Sequence, residues 1–375
     1  MQFDKVSIKY FCVYVTANIC NFIIFASAYL FFMGIKRIAQ LARVSIGTVD
    51  RALHNRGRVA PDTKRRVEEI ARQINYKPNL MARSLARNRR TRVAILVPDP
   101  AQDEYWQQAN EGLVSQMPRF EQQGLFFKTY FYKVDRKESF IASARKLISS
   151  KPDGVIMAPN FLNEGRWLYE KCQELSLPVI MFDIIIPGTN PLSFIGTDSY
   201  QSGRVAAELL TMTAKKKGKF AILHFDEELL NSPHMLEKER GFLSYMKSEC
   251  PERECIVGVL NNRKHYYREQ LEKMLAAEKI SGIFVSTSKT YRIGSYLREE
   301  KIKNIILLGY DLTSRNRTLL MDGTIRFLIN QNPRRQAEVS LNTFCDYLIF
   351  RENVKSSILF PIEIIARTNL TSYEI

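Results

Sequence analysis

The chain has 375 residues, enough for two or three domains with a sizeable core, and its apolar and aromatic content is ordinary for a globular protein. Its formal net charge is +16, and three quarters of that charge lies in residues 33–92. The six cysteines and four histidines show no metal-ligand spacing, and no Walker loop, G-x-G-x-x-G motif or G-x-S-x-G elbow occurs. The sequence therefore predicts no metal site, no cofactor and no enzyme, and it favours reduced thiols in the cytoplasm.

Residues 1–32 precede the basic region and form an apolar extension. No charged residue occurs from Tyr10 to Ile35, and such a stretch is long enough to cross a bilayer. Three interpretations are open: a membrane anchor, a signal peptide with Ala26-Ser27-Ala28 as a cleavage-like sequence, or a wrongly assigned start with Met33 as the true first residue.

Residues 33–78 have the pattern of three short helices. Ser45 is suited to cap a second helix that begins at Ile46, and Pro61 opens a third. The apolar positions of the first helix recur at helical spacing, at Ile35, Ile38, Ala39 and Ala42. The outward face of the second helix carries Ile46, Gly47, Thr48, Asp50 and Arg51. A helix, a tight turn and a second helix with such an outer face fit a DNA major groove.

The basic region coincides with this helical pattern. Residues 33–92 contain sixteen Lys and Arg against four Asp and Glu, a net charge of +12, whereas residues 93–375 carry only +3. Neutralisation of DNA phosphates explains why the charge excess and the helix-turn-helix pattern occupy the same residues.

The same residues resemble the DNA-binding head of the LacI/GalR (lac repressor) family. The resemblance covers essentially the whole head and rests on Ile38-Ala39, Ala42-Arg43-Val44-Ser45, Thr48-Val49-Asp50-Arg51, Arg58-Val59, Asn75-Tyr76-Lys77-Pro78-Asn79 and Ala82-Arg83-Ser84-Leu85. It implies a homodimer on a pseudo-palindromic operator in double-stranded DNA, with bases read by the second helix. The expected contacts are Ser45, Ile46, Gly47, Thr48, Arg51 and, at the helix end, His54, which we expect to meet phosphate. Asp50 and Ala60 stand where the family commonly has Ser.

Residues 79–92 are interpreted as a hinge helix and linker. Pro78 ends the preceding helix, and Asn79 can cap a new helix that would be marginal on its own. In the family this helix orders on operator DNA and wedges a Leu into the minor groove, and Leu85 holds that position here. Asn79, Arg83 and Leu85 are the expected DNA contacts, and an ordinary linker with a buried Leu is the alternative.

The resemblance also favours one interpretation of residues 1–32. Heads of this family begin within a few residues of the N-terminus, so we favour Met33 as the true start. A signal peptide would export the head away from DNA, and an anchor would hold it against the membrane without a linker. We therefore predict a cytoplasmic protein, with membrane association only if residues 1–32 belong to it.

From residue 93 onward, apolar strands alternate with helices, which is the pattern of parallel sheets covered on both faces. Helices are predicted between most strands, for example at Ser139–Ser149, Gln201–Ala214 and Arg268–Glu278. The predicted strands are Val93–Asp99, Leu125–Tyr132, Gly154–Ala158, Val179–Phe182, Phe194–Gly196, Phe220–Phe225, Cys255–Leu260, Gly282–Ser286, Ile305–Gly309, Thr324–Ile329 and Ile358–Ile364. Ligands in such sheets bind beyond the carboxyl ends of the strands.

Residues 93–365 resemble the ribose-type periplasmic binding proteins, whose sugar-binding fold LacI/GalR regulators use as an effector domain. The resemblance rests on Lys151–Ile156, Pro178–Asp183, Gly196–Arg204, Gly309–Asp311, Asp322–Ile325 and Gln331–Pro333. It implies an effector domain, residues 93–375, with two subdomains joined by three crossings of the chain. The first subdomain is expected at about residues 93–196 plus 332–356, and the second at about 197–331 plus 357–375.

The resemblance further implies which residues contact the effector. Tyr105 and Trp106 match an aromatic pair that stacks on a sugar ring, and Asp183 and Asp311 match carboxylates that accept hydroxyl hydrogen bonds. The remaining implied contacts are Asp103, Lys238, Ser288 and Gln331. Asp103, Ile184, Lys238 and Ser288 differ from residues that are common in sugar binders, so the identity of the sugar stays open.

Together these features predict an all-α helix-turn-helix head followed by an α/β, two-subdomain parallel-sheet domain, acting as a DNA-binding transcription regulator. By resemblance, the default is a repressor of carbohydrate-use genes with a sugar or sugar derivative as the inducer. A corepressor in place of an inducer, a membrane-tethered regulator, and an exported or anchored sugar-binding protein are the alternatives.

Overall fold

The computed structural model describes residues 35–53, 57–74, 76, 91–214, 217–225, 231–350 and 353–373. The chain divides into two compact units, residues 1–90 and 91–375. Within the described ranges, none of the helices is long and apolar enough to cross a membrane. The apolar extension and residues 79–90 of the hinge lie outside the described residues, so what we predicted for them stays a prediction.

The first unit contains the three predicted helices, which are α1 (35–42), α2 (Ile46–Leu53) and α3 (Pro61–Gln73). Their shared core is buried and apolar, and it consists of Ile38, Ala39, Ala42, Val49, Ala52, Val67 and Ala71. Ala60 precedes α3 without a side-chain cap, as expected for an alanine at that position. Val67 and Ala71 on α3 are buried in this core, whereas Ile74 lies just beyond the helix end and is exposed.

The second unit is an alternation of strands and helices. Its strands are β1 (Thr91–Pro98), β2 (Leu125–Tyr132), β3 (Gly154–Met157), β4 (Val179–Phe182), β5 (Ser193–Gly196), β6 (Lys219–His224), β7 (Cys255–Val259), β8 (Ile280–Val285), β9 (Ile306–Tyr310), β10 (Phe327–Asn330), β11 (Ser357–Leu359) and β12 (Glu363–Ile365). Its helices are α4 (Glu104–Glu121), α5 (Lys137–Ser149), α6 (Leu162–Glu174), α7 (Ser199–Thr213), α8 (Pro233–Glu249), α9 (Lys264–Ala277), α10 (Thr290–Glu299), α11 (Ser314–Met321) and α12 (Pro333–Phe350), followed by a 3-10 helix (Arg367–Tyr373).

The strands form two sheets, and each sheet with its helices is one lobe. The first lobe has the strand order β11-β5-β4-β3-β1-β2, and the second has the order β12-β10-β9-β8-β6-β7. All neighbouring strands are parallel except β10 and β12. Buried Val, Ile, Leu and Phe side chains fill the space between the sheets and their helices. The predicted α/β class, with two parallel-dominated sheets, is thereby confirmed.

One predicted strand is wrong. The segment Ile358–Ile364 is two strands in different sheets, because β11 pairs with β5 whereas β12 pairs antiparallel with β10. Pro361 stands between them and has no N–H to continue a ladder, so the chain leaves the first sheet there. Residues 357–359 therefore belong to the first lobe, and the third crossing follows Leu359 instead of preceding residue 357 as predicted.

Helix α7 packs closely against α8 because a glycine of each helix faces the backbone of the other helix. A Cβ added to Gly203 would lie 2.0 Å from the carbonyl oxygen of Lys238, and one added to Gly241 would lie 1.9 Å from that of Tyr200. Neither glycine can be replaced without separating the helices. This close approach fixes the position of Lys238, a predicted effector contact, relative to the second sheet.

We expect the substitution Gly203→Ala to lower the free energy of unfolding. Alanine has the higher helix propensity, but its Cβ meets backbone that cannot rotate away, and overpacking of this kind costs about 1–3 kcal/mol. Denaturant titration of the full chain measures the effect. The matched control is Glu208→Ala, an exposed position on the same helix, which should change stability by less than about 0.5 kcal/mol. Equal stability of both variants would contradict the account of the crossing.

Candidate functional site

The outer face of α2 is held in place by its cap. The backbone N–H of Thr48 donates to Ser45 Oγ at 3.1 Å, which satisfies one of the free donors at the helix start. Ile46 is 46% exposed although it is apolar, and Gly47 and Arg51 are also exposed. The Arg51 guanidinium reaches back to Thr48 Oγ1 at 3.4 Å, so it lies along the helix surface. The structure thus gathers Ser45, Ile46, Gly47, Thr48 and Arg51 on one accessible face.

Four of the predicted DNA contacts cannot be placed in this way. His54, Asn79, Arg83 and Leu85 lie outside the described residues, and their roles stay predictions.

A cavity of about 250 Å³ lies between the two lobes of the second unit. It opens beyond the carboxyl ends of the strands, where ligands of parallel sheets are expected. The cavity brings together all eight residues that the sequence nominated as effector contacts, namely Asp103, Tyr105, Trp106, Asp183, Lys238, Ser288, Asp311 and Gln331.

Two carboxylates enter the cavity from matching positions in the two lobes. Asp183 follows β4, Asp311 follows β9, and both have a backbone φ of 65°, in the left-handed region. The N–H of Asp183 donates to the carbonyl of Ile195, and that of Asp311 donates to the carbonyl of Ile329, each at 2.9 Å. These turns hold each aspartate at the end of a buried strand, in a conformation that non-glycine residues rarely adopt.

Asp311 is fixed by amide groups. The Gln331 side-chain amide donates to both carboxylate oxygens at 3.1 Å. The Gln336 side-chain amide donates to the backbone carbonyl of Gln331 at 2.7 Å. The buried Asn316 amide donates to the carbonyls of Ser288, Tyr310 and Asp311 at 2.8–3.0 Å. Asn316, which sequence reasoning missed, therefore ties the loops after β8 and β9 together behind the cavity.

The two aromatic residues are arranged differently from a parallel stacking pair. The rings of Tyr105 and Trp106 are 5.0 Å apart between centroids and are nearly perpendicular, with an interplanar angle of 82°. Only one of them can lie flat against a given face of a ligand. The Tyr105 hydroxyl donates a hydrogen bond to Asp183, and burial and the nearby carboxylates keep the pKa of Tyr105 well above its usual value.

Lys238 places an ammonium group inside the same cavity. Its side chain is 1% exposed, and Nζ lies 3.2 Å from the Ser286 carbonyl and 3.7 Å from the centre of the Tyr310 ring. Burial lowers the pKa of Lys238, while Asp311 and Asp183 act in the opposite direction. Burial has the opposite effect on the carboxyl group of Asp311 and raises its pKa to about 7, although Lys238 opposes that rise. The cavity therefore offers negatively charged acceptors and a positively charged donor to the same ligand.

Residues in and behind the cavity were also missing from the implied effector contacts. His224 bridges Ser286 Oγ and Glu239 Oε2, each at 2.8 Å, and so braces the loop after β8 from behind. The side-chain amide oxygen of Asn160 and His234 Nδ1 are buried without a hydrogen-bond partner in the described part of the chain. Burial holds the pKa of His234 well below its usual value, so its ring is neutral. Asn160 follows a predicted strand, but the histidines were assessed only for metal spacing, which gave no signal.

Over the described ranges, no cluster of His, Cys, Asp and Glu could hold a metal ion. Paired carboxylates, an ammonium, amides and aromatic edges are instead the groups that recognise several hydroxyls on a compact ring.

Two family models match this chain. Residues 93–352 match the model described as Periplasmic binding protein domain, and residues 34–79 match the one described as Bacterial regulatory proteins, lacI family. The chain belongs to the periplasmic binding protein domain family and carries a lacI-family head. The predicted family is thereby confirmed for both units.

Catabolite control protein A of two staphylococci is similar in sequence. The Staphylococcus xylosus protein is 29% identical over 153 residues, which cover 41% of this chain and 43% of that protein. The Staphylococcus epidermidis protein is 26% identical over 211 residues, which cover 55% of this chain and 60% of that protein. The matched region thus spans between 43% and 60% of the length of these curated relatives.

Solved structures share the fold of the larger unit. A Bacteroides fragilis protein assigned as a LacI transcriptional regulator superposes with a TM-score of 0.72 at 29% identity, covering 76% of this chain and 100% of that one. GanP, a glucose-galactose binding protein from Geobacillus stearothermophilus, superposes with a TM-score of 0.66 at 17% identity, covering 75% of this chain and 99% of that one. The second likeness shows the fold alone.

We expect the stability of the protein to depend on pH through Asp311. Because its pKa is raised to about 7, the folded state holds a proton that the unfolded state has lost, and the free energy of unfolding falls as pH rises from about 4 to about 7. Asp311→Asn removes this loss. The stability of the variant relative to the unsubstituted protein should therefore rise with pH by roughly 1–3 kcal/mol across that window.

Denaturant titrations at several pH values measure this difference. Asp198→Asn is the matched control, because Asp198 also follows a strand but caps helix α7 by accepting from the Gln201 N–H at 2.9 Å. A difference between Asp311→Asn and the unsubstituted protein that does not change with pH would show that Asp311 is ionised without cost.

Proposed function

We propose that this protein is a sequence-specific DNA-binding transcription regulator whose affinity for its operator is set by a small, sugar-like effector. The observation that carries the proposal is the joint presence of a capped recognition helix in a lacI-family head and a polar cavity between two lobes. The likeness to catabolite control protein A supports control of carbohydrate-use genes, with repression as the default. Its place of action would be the cytoplasm, where DNA is accessible.

The DNA side of the proposal rests on the exposed face of α2. Arg51 is exposed there and can donate two hydrogen bonds to a guanine edge. Gly47 is also exposed, and the nearest atom to a Cβ added there would be Ser45 Oγ at 3.9 Å. The helix surface at Gly47 therefore has no protruding side chain, which allows close approach to a base pair.

The effector side rests on the chemistry of the cavity. Asp183 and Asp311 can accept hydroxyl hydrogen bonds, Lys238 can donate, and one of the two aromatic rings can cover an apolar ring face. We infer a sugar or sugar derivative as the effector. It can change DNA affinity only by binding the DNA-competent and DNA-incompetent states with different affinity.

We further propose that the working form is a homodimer. Two copies would place two recognition helices on the halves of a pseudo-palindromic operator. The edge strands offer apolar surface for such contact, because Phe126 and Phe131 on β2 are 39% and 42% exposed, and Val257 and Val259 on β7 are 44% and 42% exposed.

Capture of genomic DNA fragments by the purified full chain, followed by sequencing, tests the proposal. We expect enrichment of a shared pseudo-palindrome beside genes for carbohydrate use. Arg51→Ala should weaken binding to that sequence by about 1–3 kcal/mol and relax the preference at one base pair in each half.

Arg65→Ala is a suitable control, because Arg65 is an exposed cation on α3 that pairs with Asp62 at 3.0 Å within the same helix. It should leave the base preference unchanged. Capture without any enriched sequence, or an Arg51→Ala variant with unchanged preference, would contradict the assignment of α2 as the reading helix.

A further inference from the structure

Hydrogen bonds join the two lobes on both sides of the cavity. On one side, the first turn of α4 in the first lobe meets the start of α11 in the second. On the other side, the start of α6 in the first lobe meets Asn231, two residues before α8, in the second. We call these contacts the α4 latch and the α6 latch, and their residues are given below.

The α4 latch is centred on Glu104. Its carboxylate accepts from the backbone N–H of Ser314 at 2.8 and 2.9 Å and from the Ser314 hydroxyl at 2.8 Å. Ser314 is the first residue of α11, whose free N–H groups and helix dipole favour a negative charge. A carboxylate of one lobe thus caps a helix of the other. Gln108, one turn further along α4, adds a hydrogen bond of 3.4 Å to the Leu312 carbonyl.

The α6 latch is centred on Asn231, whose residue is 8% exposed. Its side-chain oxygen accepts from the backbone N–H of Asn163 at 3.0 Å. Its side-chain nitrogen donates to Glu164 Oε2 at 2.9 Å. Both partners lie in the first turn of α6. The side-chain amide of a residue in the second lobe therefore contacts the start of a helix in the first lobe.

Both latches lie outside the cavity lining. Glu104, Ser314, Asn163, Glu164 and Asn231 are not among the residues that line the cavity, whereas the neighbours Asp103, Tyr105 and Ser232 are. Asp103 itself accepts from Ser288 of the other lobe at 3.0 Å. The same turns that present ligand-facing groups therefore also carry the bonds that hold the lobes together.

We propose that the α4 and α6 latches stabilise the closed arrangement of the two lobes and thereby set effector affinity from outside the cavity. Glu104 and Asn231 are positioning residues in this scheme. A ligand that binds between closed lobes meets preformed partners from both, and its apparent affinity rises with the closed fraction. The closure does not depend on the proposed function, but its consequence for an effector rests on it.

Amide hydrogen exchange of the full chain, without DNA or sugar, tests the closure. The Asn163 N–H lies on the opposite side of the cavity from Glu104, and in the described part of the chain it donates to Asn231 of the α6 latch, so it reports opening of the cleft as a whole. In Glu104→Ala we expect exchange at both Ser314 and Asn163 to accelerate, by about fivefold to thirtyfold. Mass spectrometry with residue resolution provides the readout.

Glu111→Ala is the matched control. Glu111 is a carboxylate on the same helix, but it accepts from Gln107 of that helix at 3.2 Å and makes no bond across the cleft in the described part of the chain. It should leave exchange at both amides unchanged. Acceleration at Ser314 alone would show that Glu104 is only a local helix cap, and it would overturn the proposal.

The reciprocal variant Asn231→Ala makes the test independent of Glu104. It removes the α6 latch, and exchange at the Ser314 amide across the cavity should then accelerate although its own partner is intact. An unchanged Ser314 amide in this variant would equally overturn the proposal. Since neither measurement uses DNA or an effector, failure to find an operator would refute the proposed function without touching this result.

Discussion

Burial of two carboxylates and one ammonium in a single cavity is the constraint on which the second unit depends. Charged groups that lose water are costly unless other polar groups replace it. Here Tyr105 donates to Asp183, the Gln331 amide donates to Asp311, and Lys238 lies on the face of Tyr310. These partners come from both lobes and from one crossing between them. Each of these pairs lies within one lobe or at a crossing, but the charge of Lys238 in the second lobe also acts on Asp183 in the first. The charges therefore favour lobes that lie close together, and they leave acceptors and a donor directed at a ligand.

Carboxylates at the helix starts around the cavity also connect the two lobes. Asp103 caps α4 through the Tyr105 N–H at 2.9 Å and also accepts from Ser288 across the cleft, so one carboxylate serves local structure and lobe contact together. Glu104 caps α11 from the opposite lobe. These two carboxylates do more than cap a helix, because each accepts a hydrogen bond from the lobe that must move if the cleft opens.

Much of this was predictable because periodicity and strand ends are local signals. The helix at Ile46 follows from its cap at Ser45. The rule that ligands lie beyond parallel strands indicates the edge of the sheets where the cavity lies, whereas the cavity residues themselves were implied by the resemblance to sugar-binding proteins. The perpendicular rings of Tyr105 and Trp106, the left-handed turns at Asp183 and Asp311, and the bridge made by His224 depend on packing between distant segments. The split of the last strand at Pro361 had a visible signal, since proline interrupts a ladder, but which sheet each half joins is decided only by tertiary pairing.

The central claim is that occupancy of the cavity changes DNA affinity. The most direct measurement is the dissociation constant of the captured operator for the full chain, with and without a monosaccharide that raises its melting temperature. The account predicts a change of about fivefold to 150-fold, and an equal change in the affinity for that sugar when operator is added. A sugar that binds and stabilises the protein but leaves operator affinity unchanged would contradict it.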